Sequence, residues 1–276
     1  MTRVLVTGVR GKTGAPLAGL LLARGVEVLG GSSSHPGTVT LDGVRPTSFS
    51  WDDPAGWDPA LDGVDAVYVV RPDRADSPEL IGALLGRAAP GTRVVLLSEQ
   101  DADYEGPAGW APRCEHAVRE SGHDWTVLRP SWFMQVLTDP RFYRDQILEA
   151  GHLPFPSGGR SLAWIDARDI AAVAAQALLE EGHAGRVHEI TGPEALSLPR
   201  TAELLSAALG RPVTHQESSV ADQLEGLEGF ERDLTALTFA RVRAGSFSAV
   251  TDTVHRVTGR PARSLAAFLD DAHLRP

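Results

Sequence analysis

The chain has 276 residues, 42% of them hydrophobic and 22% charged, which is typical of a globular protein of one large domain or one domain with a smaller lobe. Its net charge of -10 without any basic run argues against a nucleic-acid partner, and its single cysteine, Cys114, excludes an intramolecular disulfide and a metal site of paired cysteines. With no run of about 18 apolar residues and only two residues before the first strand-like segment, we expect no membrane span, no signal peptide and a cytoplasmic location.

The first half of the chain alternates short apolar segments with helical patterns. Strands are predicted at 3–6, 26–29, 66–70, 93–97 and 125–128, with a weaker candidate at 44–49. Apolar side chains at helical spacing predict helices at 15–24, 78–88 and 113–121. This alternation with short links predicts an α/β fold with a doubly wound parallel sheet, the Rossmann arrangement.

A glycine-rich segment, TGVRGKTG at 7–14, joins the first strand to the first helix. Gly8 allows a sharp turn, Gly11 allows the backbone to approach a pyrophosphate, and Gly14 allows the helix to pack closely on the strand. The N-terminus of the helix adds N–H groups for the phosphates, and Thr13 is predicted to be one of the cofactor-binding residues. In this strand-to-helix context the spacing predicts a dinucleotide-binding loop.

The turn after the second strand distinguishes the two nicotinamide dinucleotides. An NAD site usually carries an acid there, about 20 residues beyond the loop, which binds the ribose hydroxyls. The stretch GGSSSH contains no acid, and Glu27 lies too early in the strand. Ser32 and Ser33 would not repel a 2′-phosphate, and positive charge is available from Arg10 and Lys12. The sequence therefore predicts NADPH rather than NADH.

The pattern changes after about residue 130, where prolines and glycines interrupt regular structure. Further on, helices are predicted at 166–181, 198–209 and 264–271, and a strand at 187–191. We predict an NAD(P)-binding Rossmann domain at 1–130 and a smaller, mostly helical substrate or lid lobe at 131–276. We expect residues 166–191 to return to the Rossmann core.

Four segments make the chain resemble the NmrA-like family of atypical short-chain dehydrogenase/reductases. They are VLVTGVRGKTG at 4–14, DGVDAVY at 62–68, the stretch from SG at 121 to WTVLRPSWFMQ at 125–135, and IDARDIA at 165–171. The resemblance covers almost the whole chain. RGKT at 10–13 and WDD at 51–53 are also similar to the ergot-alkaloid (festuclavine and agroclavine) dehydrogenases, which reduce cyclic iminium compounds.

The resemblance implies positions for the cofactor and the substrate. Adenine is expected near Asp52 or Asp53. The ribose and nicotinamide are expected to pass Val70, Arg71, Pro72 and Ser98, and the segment from Ser131 to Met134 to close over the nicotinamide. An apolar substrate pocket is expected from Tyr104, Trp132, Phe133, Met134 and Trp164. One departure is Val136, where relatives often have asparagine.

The usual catalytic set of short-chain dehydrogenases is absent from this sequence. That set pairs a proton-donating tyrosine with a lysine four residues later, supported by serine and asparagine. Here Lys12 is the only lysine, and asparagine does not occur. None of Tyr68, Tyr104 and Tyr143 is followed four positions later by lysine.

Two functions remain open on the sequence. The first is an NADPH-dependent reductase of secondary metabolism that transfers hydride to a small or medium apolar imine, iminium, enone or quinone. Its catalytic candidates are Tyr104 and Ser98, with Glu99 or Asp101 as further acids. The second is a non-catalytic NAD(P)-binding redox sensor that binds a partner protein. The sequence predicts no metal site, and it leaves a homodimer open.

Overall fold

The computed structural model describes residues 1–32 and 41–272. Its strands are β1 (Arg3–Val6), β2 (Glu27–Ser32), β3 (Arg45–Ser48), β4 (Ala66–Val70), β5 (Arg93–Leu97), β6 (Asp124–Pro130), β7 (His152–Pro154), β8 (Ser161–Leu162), β9 (Arg186–Ile190), β10 (Leu196–Ser197) and β11 (Thr214–Gln216). Seven of them form one sheet in the order β3-β2-β1-β4-β5-β6-β9, and each neighbouring pair from β3 to β6 is parallel. Two small sheets pair β7 with β11 and β8 with β10.

Helices connect most of these strands. They are α1 (Gly14–Ala23), α2 (Trp57–Leu61), α3 (Ser77–Leu85), α4 (Trp110–Arg119), α5 (Ala167–Leu179), α6 (Leu198–Leu209), α7 (Val220–Gln223), α8 (Gly229–Ala244), α9 (Thr253–Thr258) and α10 (Leu265–Asp271). Short 3₁₀ turns occur at Pro54–Gly56, Ala102–Glu105 and Met134–Leu137, and a π-helical turn at Gln146–Ala150. This parallel sheet with its connecting helices confirms the predicted doubly wound α/β fold.

The central strands agree best with the sequence pattern. β1, β4 and β5 have the predicted bounds, because they are apolar nearly throughout and buried in the middle of the sheet. Helix α4 begins at Trp110, three residues before its predicted start. Pro112 falls in the first turn of that helix, where no backbone N–H is needed.

β2 is longer than predicted and runs through two glycines to Ser32. A side chain at Gly31 would meet the ring of Phe49 at 3.3 Å, so glycine serves here for close packing rather than for a turn.

The chain divides into two compact units. The first unit contains residues 1–129 and 170–188, and the second contains 130–169 and 189–276. The second unit has its own aromatic core, in which the ring of Trp132 lies 5.2–5.8 Å from the rings of Phe155, Phe247 and Phe239. No helix in the described part of the chain is both long and apolar enough to span a bilayer.

Candidate functional site

The glycine loop follows β1 in a conformation that requires its glycines. Gly8 has a φ of +67°, which side chains other than glycine rarely adopt. A Cβ atom at Gly14 would lie 2.3 Å from the carbonyl oxygen of Gly8, so α1 begins in direct contact with the loop. The N–H of Gly11 closes the turn by donating to that same oxygen at 2.8 Å. The loop is therefore as tight as a pyrophosphate-binding turn must be.

Threonines tie this loop to the end of β4. The hydroxyl of Thr7 donates to the carbonyl oxygen of Tyr68 at 3.0 Å and accepts from the N–H of Val70 at 2.8 Å. The hydroxyl of Tyr68 in turn donates to Oγ1 of Thr13 at 3.1 Å. Burial raises the pKa of Tyr68, so its hydroxyl keeps its proton and holds the start of α1.

The only acid in β2, Glu27, lies at the amino end of the strand. It accepts hydrogen bonds from Nε of Arg3 at 2.9 Å and from Arg45 at 3.0 Å, and these bonds lower its pKa. A nucleotide binds at the opposite, carboxyl end of parallel strands, so Glu27 does not bind the ribose. Ser33 and the side chain of Ser32 lie outside the described part of the chain.

The two acids expected near adenine have different surroundings. Asp52 forms an exposed ion pair with Arg74, which also binds Asp76 at 2.6 Å. Asp53 caps the turn at 54–56 by accepting from the N–H of Ala55 at 3.2 Å. Asp52 thus takes part in an exposed ion-pair cluster, whereas Asp53 holds the local backbone. In the glycine loop, Arg10 is exposed and Lys12 is partly exposed.

The carboxyl ends of β4 and β5 bring Val70, Arg71 and Ser98 together. The methyl groups of Val70 face Gly8, and a Cβ there would contact them at 3.4 Å. The guanidinium of Arg71 lies 4.4 Å from the ring centre of Trp110 and pairs with Glu99 at 2.5 Å. Its Nη1 also lies 3.4 Å from Oγ of Ser98. Three of the residues assigned to the nicotinamide half of the cofactor are therefore neighbours.

A buried ionic network lies directly behind Ser98. The Ser98 hydroxyl donates to Oε1 of Glu115 at 2.7 Å. Arg129 binds both carboxylate oxygens of Glu115, each at 2.7 Å, and Arg119 adds a bond of 2.8 Å. The Glu115 side chain is only 2% exposed, so its charge depends on these donors.

This network defines what Ser98 can do. Its only hydrogen is committed to a carboxylate, so Ser98 is an unsuitable proton donor and instead presents an oxygen that accepts. The prediction of Ser98 as a catalytic residue thus becomes a prediction of a fixed acceptor at the end of β5. Glu115 and Arg129 were not among the site residues predicted from the sequence. A signal was present, because an arginine within the apolar strand TVLRP requires a buried partner.

The three tyrosines have distinct environments. Tyr68 and Tyr143 are buried, and burial raises the pKa of both. Tyr104 lies on the 3₁₀ turn at Ala102–Glu105 and is 46% exposed. Asp101, immediately before this turn, has a φ of +53° and is the only non-glycine residue with positive φ among residues 1–32 and 41–272. Tyr104 is therefore the one tyrosine that solvent or a ligand reaches.

Ser131, predicted to bind the cofactor, and Trp132, Phe133, Met134 and Trp164, predicted to line the substrate pocket, belong to the second unit. Ser131 is buried, and its hydroxyl lies 3.4 Å from the carbonyl oxygen of Phe247. Met134 and Trp164 are each 1% exposed in the core, and the indole N–H of Trp164 donates to Thr201 at 3.0 Å. Trp132 and Phe133 are partly buried against the same core. Met134 and Trp164 thus act as packing residues here, and a pocket role for this set stays a prediction.

Metal ligands are not clustered in the described residues. Within 1–32 and 41–272, no group of three or more histidine, cysteine, aspartate or glutamate side chains is placed to hold a metal ion. Cys114 is fully buried in α4, and burial raises the pKa of its thiol to about 12, so it is not a reactive thiolate.

Comparisons with known proteins relate nearly the whole chain to oxidoreductases. The NmrA-like family profile matches residues 1–258. The NAD(P)H azoreductase of Xenophilus azovorans is 33% identical over 277 residues, 96% of each chain. The agroclavine dehydrogenase of Claviceps fusiformis is 32% identical over 283 residues, 97% of this chain and 96% of that protein. The structure of an Escherichia coli NADPH-dependent quinone oxidoreductase with NADPH matches with a TM-score of 0.81 and 24% identity, over 97% of this chain and 99% of that one.

Proposed function

The chain belongs to the NmrA-like family and is an NAD(P)H-dependent oxidoreductase, and from that premise we propose that it uses NADPH to reduce a small or medium apolar acceptor. Among acceptors, we favour an iminium, with enones and quinones as further members of the class. Support comes from its similarity to an NAD(P)H azoreductase and an agroclavine dehydrogenase. When bound, the dinucleotide supplies the hydride.

The observation that carries the acceptor class is the scarcity of proton donors at the strand ends. The chain has no tyrosine–lysine pair, and the hydroxyl hydrogen of Ser98 is held by Glu115. Hydride addition to C=N⁺ gives a neutral amine and no oxyanion, so it needs no acid. The side chains of the site then have to orient the reactants and exclude water. Orientation of this kind can supply a large part of the rate acceleration.

The proposal of NADPH is supported by the charge distribution around the loop. Glu27, the one acid of β2, is paired with arginines at the amino end of the strand, the end opposite the nucleotide-binding edge. Two cations, Arg10 and Lys12, lie in the loop itself. A carboxylate would repel a 2′-phosphate, whereas a guanidinium binds it through charge-assisted hydrogen bonds.

The decisive experiment follows NADPH consumption by the full chain with a cyclic iminium, a quinone and an enone. We expect turnover, fastest with the iminium. The competing function, a redox sensor, predicts tight dinucleotide binding and no turnover with any acceptor. The sensor function is supported by the absence of the tyrosine–lysine catalytic set. Enzyme-dependent oxidation of NADPH by any of the three acceptors would rule out the sensor function.

Replacing Arg10 with alanine tests the choice of dinucleotide. We expect NADPH affinity to fall about tenfold while NADH affinity is unchanged, because one charge-assisted bond to the 2′-phosphate is lost. Fluorescence titration with both dinucleotides measures the ratio. Arg45→Ala is the matched control, since this arginine binds Glu27 at the amino end of the sheet. An unchanged ratio in Arg10→Ala would contradict the proposal.

Replacing Tyr104 with phenylalanine tests the only accessible phenol. With a quinone or enone, which acquires negative oxygen on reduction, we expect kcat to fall about 10²-fold if the phenol donates its proton. With an iminium we expect no change in kcat. Stopped-flow measurement of kcat with each acceptor distinguishes proton donation from structural support. An equal loss of kcat with the quinone and with the iminium would show that Tyr104 only supports the local structure.

A further inference from the structure

The second unit contains a cavity, lined by both apolar and ionisable side chains, that the proposed reductase function does not use. Its volume is about 540 Å³, and it lies between the 157–160 loop, the start of α6 and strand β11. Cavities of this size accept small metabolites. Leu198 and Pro199 give it an apolar wall, and its ionisable lining consists of Arg160, His215, Glu217 and Arg243.

The one carboxylate in this lining is already engaged by its own loop. Glu217 accepts from the hydroxyl of Ser157 at 2.7 Å and from the N–H of Gly158 at 2.6 Å. Partial burial raises its pKa, but these bonds outweigh burial, and the pKa lies below its ordinary value. Nε2 of His215 faces the carbonyl oxygen of Phe155 at 2.9 Å, so this nitrogen carries a proton and also lies 3.6 Å from Glu217. The carboxylate of Glu217 is thus bound to Ser157 and Gly158 in the wall of the cavity.

Arg160 and Arg243 lie next to each other on the cavity wall. Nε of Arg160 donates to the carbonyl oxygen of Arg243 at 3.1 Å. The side chain of Arg243 lies over Gly158, where an added Cβ would be 3.5 Å from its guanidinium carbon. Both side chains are exposed, and within the described residues neither forms an ion pair. Most arginines in this acidic chain do form one, so the cavity is a local site of positive charge.

From this arrangement we propose that the cavity binds a small phosphate monoester, with its phosphate on Arg160 and Arg243 and its carbon portion against Leu198 and Pro199. Two positive charges match a dianion, and planar guanidinium groups bind phosphate oxygens in pairs. The site lies entirely in the second unit, so it differs from the glycine loop, which also binds phosphate but belongs to the first.

Calorimetric titration of the full chain with glycerol 3-phosphate tests the site, with glycerol as the neutral probe. We expect saturable binding of glycerol 3-phosphate, both without and with saturating NADP⁺, and none of glycerol. Loss of binding in the presence of NADP⁺ would assign it to the glycine loop and overturn the proposal. So would the absence of saturation up to about 10 mM.

Single substitutions then locate the bound phosphate. Arg160→Gln and Arg243→Gln should each weaken binding about tenfold, since each removes a charge-assisted bond. Arg200→Gln is the matched control, because this arginine lies beside the cavity on α6 but pairs with Glu203 at 2.6 Å; we expect unchanged affinity. Equal affinity in the unmodified protein and the three variants would refute the site. Tighter binding of malonate than of glycerol 3-phosphate would show that the site prefers a dicarboxylate and would overturn the proposal of a phosphate monoester.

Discussion

Substitution of Gly14 by alanine is expected to remove dinucleotide binding and to lower the free energy of unfolding by about 2–3 kcal/mol. The added Cβ would lie 2.3 Å from the carbonyl oxygen of Gly8 and 2.9 Å from its carbonyl carbon. Both are backbone atoms, so the clash is relieved only if α1 moves away from the loop, and overpacking of this kind costs about 1–3 kcal/mol. Displacement of the helix start also removes the N–H groups that face the phosphates. Urea unfolding and NADPH titration measure the two effects.

Gly19→Ala provides the control within the same helix. Gly19 is exposed on α1, and an added Cβ there meets nothing within 4 Å. Because alanine is a better helix former than glycine, this variant should gain about 0.5–1 kcal/mol and bind NADPH normally. If both variants behaved alike, close contact between α1 and the loop would not be what binding requires.

Substitution of Glu115 by glutamine should destabilise the first unit by about 3–5 kcal/mol. Removal of one partner from a buried ion pair leaves the other charge without compensation, which is the costly case. Arg129 is 8% exposed and would lose the carboxylate that binds it at two atoms, while its bond to Asp103, at 2.8 Å, would remain. The urea midpoint is the direct readout. Ser98→Ala, which leaves the arginines on Glu115, should shift this midpoint much less.

Two further variants separate charge from packing in this network. Glu79 pairs with Arg113 at the surface, where ion pairs contribute little, so Glu79→Gln should leave the urea midpoint unchanged. The double variant Glu115→Leu with Arg129→Met should recover most of the stability, since apolar residues of similar volume often replace a buried pair without loss. If the double variant did not regain stability, Glu115 and Arg129 would contribute to folding by more than neutralising each other's charge.

Much of the first unit could be predicted because its signals are local. Continuous apolar runs located β1, β4 and β5, and glycine spacing located the loop. Helix bounds were less predictable: a helix was predicted to begin at residue 113, whereas α4 begins at Trp110 and contains Pro112 in its first turn. The short strands of the second unit, such as β8 and β10 with two residues each, carry no periodicity and were not predicted.

The candidate site was predictable only where one segment determines it. The loop needs a single stretch of chain, whereas the Ser98 network joins a strand end, a helix and the next strand. Apolar residues were ambiguous for a different reason: a tryptophan in a pocket wall and one in a core have the same sequence pattern. Trp164 illustrates this, because its burial and its bond to Thr201 are tertiary facts.

The discontinuous first unit has a consequence for biosynthesis. Its first 129 residues lack the segment 170–188, and β6 depends on that segment: Thr126 donates to the carbonyl oxygen of His183 at 2.9 Å, and Gly185 donates to that of Trp125 at 2.7 Å. Domains generally fold as units while the chain is being synthesised. On the ribosome, the sheet therefore cannot be completed until β9 (Arg186–Ile190) has emerged. Until then β6, an interior strand of the finished sheet, is an edge strand whose outer side has no partner.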